Sequence, residues 1–268
     1  MTNIGISGAG GRMGRMLIQA VAEHPEANLV AAIERTGSSL LGVDAGELVN
    51  LPPMGIKLTD DLDQIIDQLD VLIDFSHPQA TADNAKLCQK HGVNMVVGTT
   101  GLDDAQNAVL QDASKHIAMV YAGNYSTGVN LTLQLLKMAA RAFGDDADVE
   151  IIEAHHKHKI DAPSGTAYMM AQAVADARGQ DLNAVAVYGR SGQTGERTKG
   201  SIGIHAVRGG EIVGDHSVMF IADGEMVEIR HHARDRMTFA AGAVRAAVWV
   251  GTQQHGMYDM QDVLGIKG

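Results

Sequence analysis

NIGISGAGGRMGRMLIQAVAEH, residues 3–24, decides how the first half of the chain is read. NIGIS at 3–7 is a short apolar run that reads as a strand. RMGRMLIQAVAEH carries a helical pattern. Between them lie Gly8, Gly10, Gly11 and Gly14. The dinucleotide fingerprint G-x-G-x-x-G fails here, because its third position falls on Met13. G-x-x-G-x-x-G fits, with Gly8, Gly11 and Gly14. Glycines at this spacing permit a tight turn and let backbone amides approach a pyrophosphate at a helix N-terminus. A glycine motif alone is weak evidence; at the first strand-to-helix junction it carries more weight.

The same alternation continues outward. NLVAAI (28–33), DVLIDF (70–75), NMVVG (94–98) and IAMVY (117–121) read as further strands, apolar on both faces as buried parallel strands are. ATADNAKLCQKHG and DDAQNAVLQDASKH read as helices between them. Strand-helix alternation at this spacing predicts βαβ units, and so an α/β, Rossmann-type doubly wound parallel sheet. The fingerprint also expects an acidic residue about 20 positions on. Glu34 ends the second strand, and Arg35 follows it. Glu34 suits the ribose 2′-hydroxyl of NAD and Arg35 the 2′-phosphate of NADP, so use of either NADH or NADPH is expected. The alternative is a pair of solvated loop charges. GTTG (98–101) and AGNYS (122–126) follow two other strands and suit backbone contacts with the cofactor, or are ordinary turns.

The pattern changes after Tyr125. NLTLQLLKMAARAFG is an amphipathic helix, VEIIEAH (149–155) a strand, and TAYMMAQAVADARG (166–179) a helix. GSIGIHAVRGGEIVGDHSVMFIADGEMVEIRHHA reads as hairpins turning at RGG and ADGE. A second, α+β domain on a mixed or antiparallel sheet is expected. MTFAAGAVRAAVWVG (237–251) returns to helix. The expected division is 1–126 plus 236–268 for dinucleotide binding, and 127–235 for substrate binding and self-association.

The 21 basic and 32 acidic residues leave a formal charge of −11. Generic binding to nucleic acid or anionic membrane is disfavoured, since both want a basic face. No apolar run approaches the roughly 20 residues of a membrane span. Neither does the N-terminus look like a signal peptide. The one cysteine, Cys88, fits a reducing cytoplasm and a buried structural role.

Against this acidic background, HHKHKIDAPSGTA (155–167) gathers His155, His156, Lys157, His158 and Lys159. Ser164 reads as the N-cap of a helix whose first amides, at Gly165, Thr166 and Ala167, would attract an anion. Lys159 and His156 add charge-assisted donors. His155, at a strand end, suits general acid work, with Glu153 and Asp161 able to orient these bases. Three alternatives stand beside this one: a solvated basic loop, a metal site, and an ordinary helix cap. Interleaved lysines and the lack of zinc-ligand spacing speak against a metal, and none is expected.

EIIEAHHKHKIDAPSGTA, 150–167, resembles the signature of the 4-hydroxy-tetrahydrodipicolinate reductase (dihydrodipicolinate reductase) family, with the pattern E-x-x-E-x-H followed by K-x-D-x-P-S-G-T-A complete. GAGGRMG, Glu34-Arg35, GTTG, AGNYS and RMTFAAGAVRAA extend the likeness along the whole chain. The resemblance implies a reductase of the diaminopimelate route to lysine. Its substrate would be a small cyclic dicarboxylate, reduced by NADH or NADPH in a cytoplasmic homotetramer built through residues 127–235. It implies His155 and Lys159 as the catalytic acids. Substrate contacts fall on His156, Lys159, Gly165 and Thr166, beside the Ser164 cap. Cofactor contacts fall on Gly8, Ala9, Gly10, Gly11, Arg12, Met13, Glu34, Arg35, Gly98, Thr99, Thr100, Ala122, Gly123, Asn124 and Tyr125. Those of Gly123 and Tyr125 would rest on backbone, since both vary in the family.

Overall fold

Five parallel strands answer to the alternation in the first half, and a sixth joins their sheet. The structure, a computed structural model, describes residues 1–267. The order of elements is β1 (Thr2–Ser7), α1 (Arg12–Glu23), β2 (Ala27–Ile33), α2 (Ala45–Leu48), β3 (Val71–Asp74), α3 (Pro78–His91), β4 (Asn94–Val97), α4 (Asp104–Ala113) and β5 (Ala118–Tyr121). The sixth strand comes from the C-terminal end, where α8 (Met237–Val250), β11 (Gly256–Tyr258) and α9 (Met260–Leu264) return. Strand order is β11-β5-β4-β3-β1-β2, every pair parallel. The order reverses between β1 and β3, and such a switch point opens a crevice beyond the carboxyl ends of the strands.

Alternation along each strand feeds two cores. Ile4, Ile6, Val71 and Ile73 pack with Leu17 and Ile18 of α1 and with Ala243 and Val244 of α8. Leu72, Met95 and Val97 pack on the other face with Ala85 and Cys88 of α3 and Leu110 of α4. Each such fully buried aliphatic side chain contributes roughly 1.5–3 kcal/mol. Burial also pushes the Cys88 thiol up, away from the reactive range. Local signals fix the helix ends: Asp103 and Gln106 form a capping box on α4, and Gly92 closes α3 in the left-handed conformation.

Residues Met1–Thr127 with Met237–Gly265 form one compact unit, and Gly128–Arg236 lie in another. The second contains α5 (Thr127–Phe143, entering from the first unit), β6 (Asp148–His155), α6 (Gly165–Ala177), α7 (Leu182–Val185), β7 (Ala186–Tyr188), β8 (Ile202–Arg208), β9 (Gly214–Ile221) and β10 (Met226–Ala233). Its sheet is mixed, in the order β10-β9-β6-β8-β7. One face is covered by α5 and α6, which bury Val149, Ile151, Ile202, Ile204, Val218 and Phe220. The opposite face carries Ile152, Val207, Ile221 and Met226, which are 40%, 49%, 37% and 54% exposed in the single chain.

One hairpin expected from the sequence is absent. ADGE does turn β9 into antiparallel β10, but RGG does not pair β8 with β9. β6 lies between them, parallel to β8 and antiparallel to β9. The 209–213 segment therefore crosses over the carboxyl end of β6. It is held there by Gly209 N–H to His155 O at 2.9 Å, and by His156 N–H to Ile212 O at 2.8 Å. The turn residues were real, but β6 took the centre of the sheet and pairs on both sides. β7 and β11, three residues each, were too short to read from periodicity.

Candidate active site

Two groups of residues come together, one in each unit. In the first, Gly8 adopts φ +77° and its loop folds back on itself: Gly8 and Ala9 N–H both donate to Ile33 O at 3.0 Å, and Gly11 N–H donates to Gly8 O at 3.0 Å. A Cβ at Gly14 would overlap Gly8 O and lie 2.6 Å from Ala9 Cα, so only glycine lets α1 pass this close to the loop. Gly11 caps α1 without a side-chain acceptor, which leaves the helix start to the backbone amides of Arg12 and Met13. Glu34 accepts from Gly10 N–H at 2.8 Å and from Arg35 N–H at 3.1 Å. The acidic residue thus braces the glycine loop while lining the same cavity.

That cavity holds about 570 Å³ and is lined by Gly8, Gly11, Glu34, Arg35, Phe75 and His77 among others. A second hollow of about 210 Å³ is lined by Met13, Phe75, Gly98, Ala122, Gly123, Asn124, Tyr125 and Phe239. Phe75 borders both. A glycine loop packed too closely on α1 for a Cβ at Gly14, an uncapped helix N-terminus and a cavity edged by Glu34 and Arg35 together fit a dinucleotide. Ala9 is buried, and Arg12 and Thr100 are exposed. Thr99 turns inward instead: its hydroxyl bonds Thr81 at 2.8 Å and lies 3.3 Å from the buried Asp74 carboxylate. Tyr125 is buried too, its hydroxyl 2.7 Å from Val97 O and 3.1 Å from Val120 O, so this side chain anchors the loop and leaves only backbone to a ligand.

The second group stands at the carboxyl end of β6. Residues two apart in a strand share a face. Glu153 (0% exposed) accordingly bonds His155 (9% exposed), Oε2 to Nδ1, at 2.6 Å. Arg208, opposite His155 in the β6–β8 register, donates to both carboxylate oxygens at 2.8 Å. Ser164 N–H donates to Glu153 Oε1 at 3.0 Å. Burial alone would raise the Glu153 carboxyl. The bonds from Arg208, His155 and Ser164 outweigh it and hold the group below its usual range. An ionised carboxylate only accepts, so His155 Nδ1 carries a proton and Nε2 is the nitrogen free to exchange one. A Cβ at Gly214 would stand 3.0 Å from that nitrogen, and the glycine keeps this side clear.

Ser164 caps α6, accepting from Ala167 N–H at 3.1 Å, with Gly165 and Thr166 in the first turn. Its hydroxyl also lies 3.0 Å from Nε2 of buried His216. Burial and the neighbouring His155 and His231 push His216 down to about 4, so it is neutral at pH 7. Lys159 Nζ pairs with Asp161 at 2.8 Å. Arg236 lies 3.3 Å from His156 Nε2, and burial, Arg236 and the adjacent histidines lower His156. His156 Nε2 accepts from the guanidinium, which leaves its buried Nδ1–H without a partner. The unit thus brings His155, His156, Lys159, Ser164, Gly165 and Thr166 onto one β6–loop–α6 segment. Their arrangement can hold an anion and deliver a proton.

Comparison with known proteins bears on both groups. Residues 2–125 match the family described as Dihydrodipicolinate reductase, N-terminus, and residues 128–264 match Dihydrodipicolinate reductase, C-terminus. The chain belongs to the dihydrodipicolinate reductase family. A 4-hydroxy-tetrahydrodipicolinate reductase of Psychrobacter arcticus is 66% identical over 267 residues, 100% of this chain and 96% of the relative. One from Acinetobacter baumannii is 56% identical, covering 98% of this chain and 96% of its own. The solved dipicolinate-bound dihydrodipicolinate reductase of Paenisporosarcina sp. TG-14 superposes with a TM-score of 0.78 at 26% identity, covering 98% of each chain. A myo-inositol 2-dehydrogenase of Lactobacillus plantarum, at 12% identity and TM-score 0.60 over 98% of this chain and 93% of its own, shares the fold alone. As a family member, this chain is an oxidoreductase using a nicotinamide cofactor.

Several participants had escaped the sequence reading. Arg208, His216 and Arg236 lie 41 or more residues beyond the 155–167 stretch, and no local signal marks them. Phe75 lies in the strand run DVLIDF and reads there as core. Glu153, by contrast, reads as able to orient the 155–159 bases, and strand alternation sets it apart from Glu150. Glu150 faces the other side of the sheet, where it bonds Arg190, Arg197 and His205 at 2.7–2.9 Å.

Proposed function

We propose that this protein reduces 4-hydroxy-tetrahydrodipicolinate to tetrahydrodipicolinate with NADH or NADPH, in the diaminopimelate route to lysine. The observation that carries the reading is the Glu153–His155 pair beside the Ser164-capped start of α6: a proton donor held in one orientation next to an anion-seeking helix terminus. The dipicolinate named in the Paenisporosarcina structure is a cyclic dicarboxylate of the chemistry this cluster would take.

The cofactor would be held by the 8–13 loop, Glu34 and Arg35, with the loops at 98–100 and 122–125 beside them, and it supplies the hydride. Glu34 suits a ribose hydroxyl and Arg35 a 2′-phosphate, so both NADH and NADPH are used. Lys159, the His156 Nδ1–H and the Gly165 and Thr166 amides hold substrate carboxylate. Lys159 exchanges Asp161 for that carboxylate as it binds. His155 or Lys159 gives the proton. The exposed apolar row Ile152, Val207, Ile221 and Met226 supports a homotetramer formed through the second unit's open sheet face, in a cytoplasmic enzyme.

The test is NADH or NADPH oxidation by the purified protein, with substrate made in situ from pyruvate and aspartate semialdehyde by the upstream synthase. Absorbance loss dependent on both proteins is expected with either cofactor. None from a folded protein that binds NADH would reject the reading. Light scattering on a size-exclusion column should return the mass of four chains; a single-chain mass would reject the tetramer.

A further inference from the structure

Arg208 holds the partner of each candidate acid. Its Nη1 and Nη2 grip Glu153, and Nη2 also donates to the Asp161 carbonyl at 2.6 Å. Glu153 in turn holds the His155 ring and the Ser164 amide. The Asp161 side chain holds Lys159. One carboxylate and one guanidinium thereby tie together a strand end, a loop and a helix cap. None of these residues lies within ten positions of Arg208, which is 47 residues beyond Asp161 and 55 beyond Glu153.

We propose that Arg208 and Glu153 are a positioning pair for the reaction, keeping the Nδ1–H of His155 in place so that the proton it exchanges is always the one on Nε2. The inference rests on the reading of His155 as a proton donor. Before donation His155 is an imidazolium with both nitrogens protonated. The Nε2 proton passes to substrate, the electron pair stays on Nε2, and a neutral ring with Nδ1–H remains until solvent reprotonates it. At that moment Glu153, wholly buried, loses its positive neighbour. A buried carboxylate without a cation tends to take up a proton, and the nearest is the one on Nδ1. Arg208, charged in every step, removes that drive. Through Asp161 the same guanidinium sets where Lys159 stands relative to His155.

The tautomer can be read without turnover. The ring nitrogens of ¹⁵N-histidine-labelled protein are observed by NMR with no cofactor present, and His155 is assigned by its loss in His155→Gln. In the wild type the neutral ring is expected as Nδ1–H. In Glu153→Gln and in Arg208→Gln a substantial Nε2–H population should appear. Beside this, kcat should fall about 100-fold in Glu153→Gln, since a wrong tautomer disables an otherwise intact histidine. Affinity for NADH, bound by the other unit, should be unchanged in both variants. Arg208→Lys keeps the charge and should retain the wild-type tautomer and more of kcat, while raising KM because the Asp161 tie is lost. It also serves if Arg208→Gln does not fold. An unaltered Nδ1–H tautomer in folded Glu153→Gln and Arg208→Gln would overturn the proposal. A wild type that shows the expected tautomer response but no NAD(P)H oxidation would overturn the activity reading alone.

Discussion

The two candidate sites are built on opposite principles. In the first unit the glycine loop works by what is missing: no Cβ at Gly14, no side-chain cap on α1, and an open cavity beside the loop. In the second the 153–208 cluster works by what is present, a buried carboxylate bonded to a guanidinium, an imidazole and an amide. A site made of backbone accepts a ligand common to many folds, and tolerates most changes except added atoms. A site made of buried charge is specific, and each member depends on the others, because an unpaired buried charge is costly.

The contrast can be broken or sharpened by experiment. The largest effect is expected from His155→Ala, which removes the proposed proton donor. We expect kcat to fall about 1,000-fold, or roughly 4 kcal/mol of transition-state stabilisation, with NADH affinity intact. Steady-state kinetics would check it, and unchanged kcat would remove His155 from the chemistry. Next, Gly14→Ala adds one methyl where Gly8 O and Ala9 lie. A loss of about 3 kcal/mol in folding stability is expected by denaturant titration, because backbone cannot move aside. An alanine tolerated within experimental error would show the loop to be less tightly closed than drawn.

The third concerns pH. His216 is near 4 in the fold against 6.5 in the unfolded chain, so below 6.5 the unfolded state binds the extra proton. Stability should therefore fall as pH drops from 6.5 towards 4, by up to about 3 kcal/mol from this group. His216→Gln should flatten that window. Glu150 is the counterpart on the other face. Burial raises it, but Arg190, His205 and Arg197 bring it down to about 2. Its stabilising contribution is complete above 4.5 and is lost as pH falls towards 2, so Glu150→Gln should lower stability at neutral pH and flatten its pH dependence in that lower window. The smallest effect is expected for Lys159→Ala, which leaves His155 and its partners in place. KM for substrate should rise and kcat fall, each about tenfold. If KM alone moved, Lys159 would be a carboxylate contact and not a donor.

Much of this was legible in order of locality. The glycine loop, Glu34, the Ser164 cap and the basic run are all stated within a few neighbouring residues, so strand and helix periods suffice to place them. Tyr125 and Thr99 were legible as members of candidate cofactor loops but not as inward-facing side chains, since a loop's sequence does not say which way its residues turn. The expected RGG hairpin erred for a related reason. Turn residues state that the chain reverses, not which strand it reverses beside.

The amino-acid sequence by itself determined the alternating first half, the second α+β portion and the stretch that gathers the candidate site residues. These depend on periodicity and capping, which act over one to four residues. The tertiary structure alone decided that β6 lies between β8 and β9, and so that Arg208 stands opposite His155 and closes on Glu153. Strand neighbours are chosen by the burial of a whole sheet face against α5 and α6, a sum over residues far apart in the chain that no local pattern records.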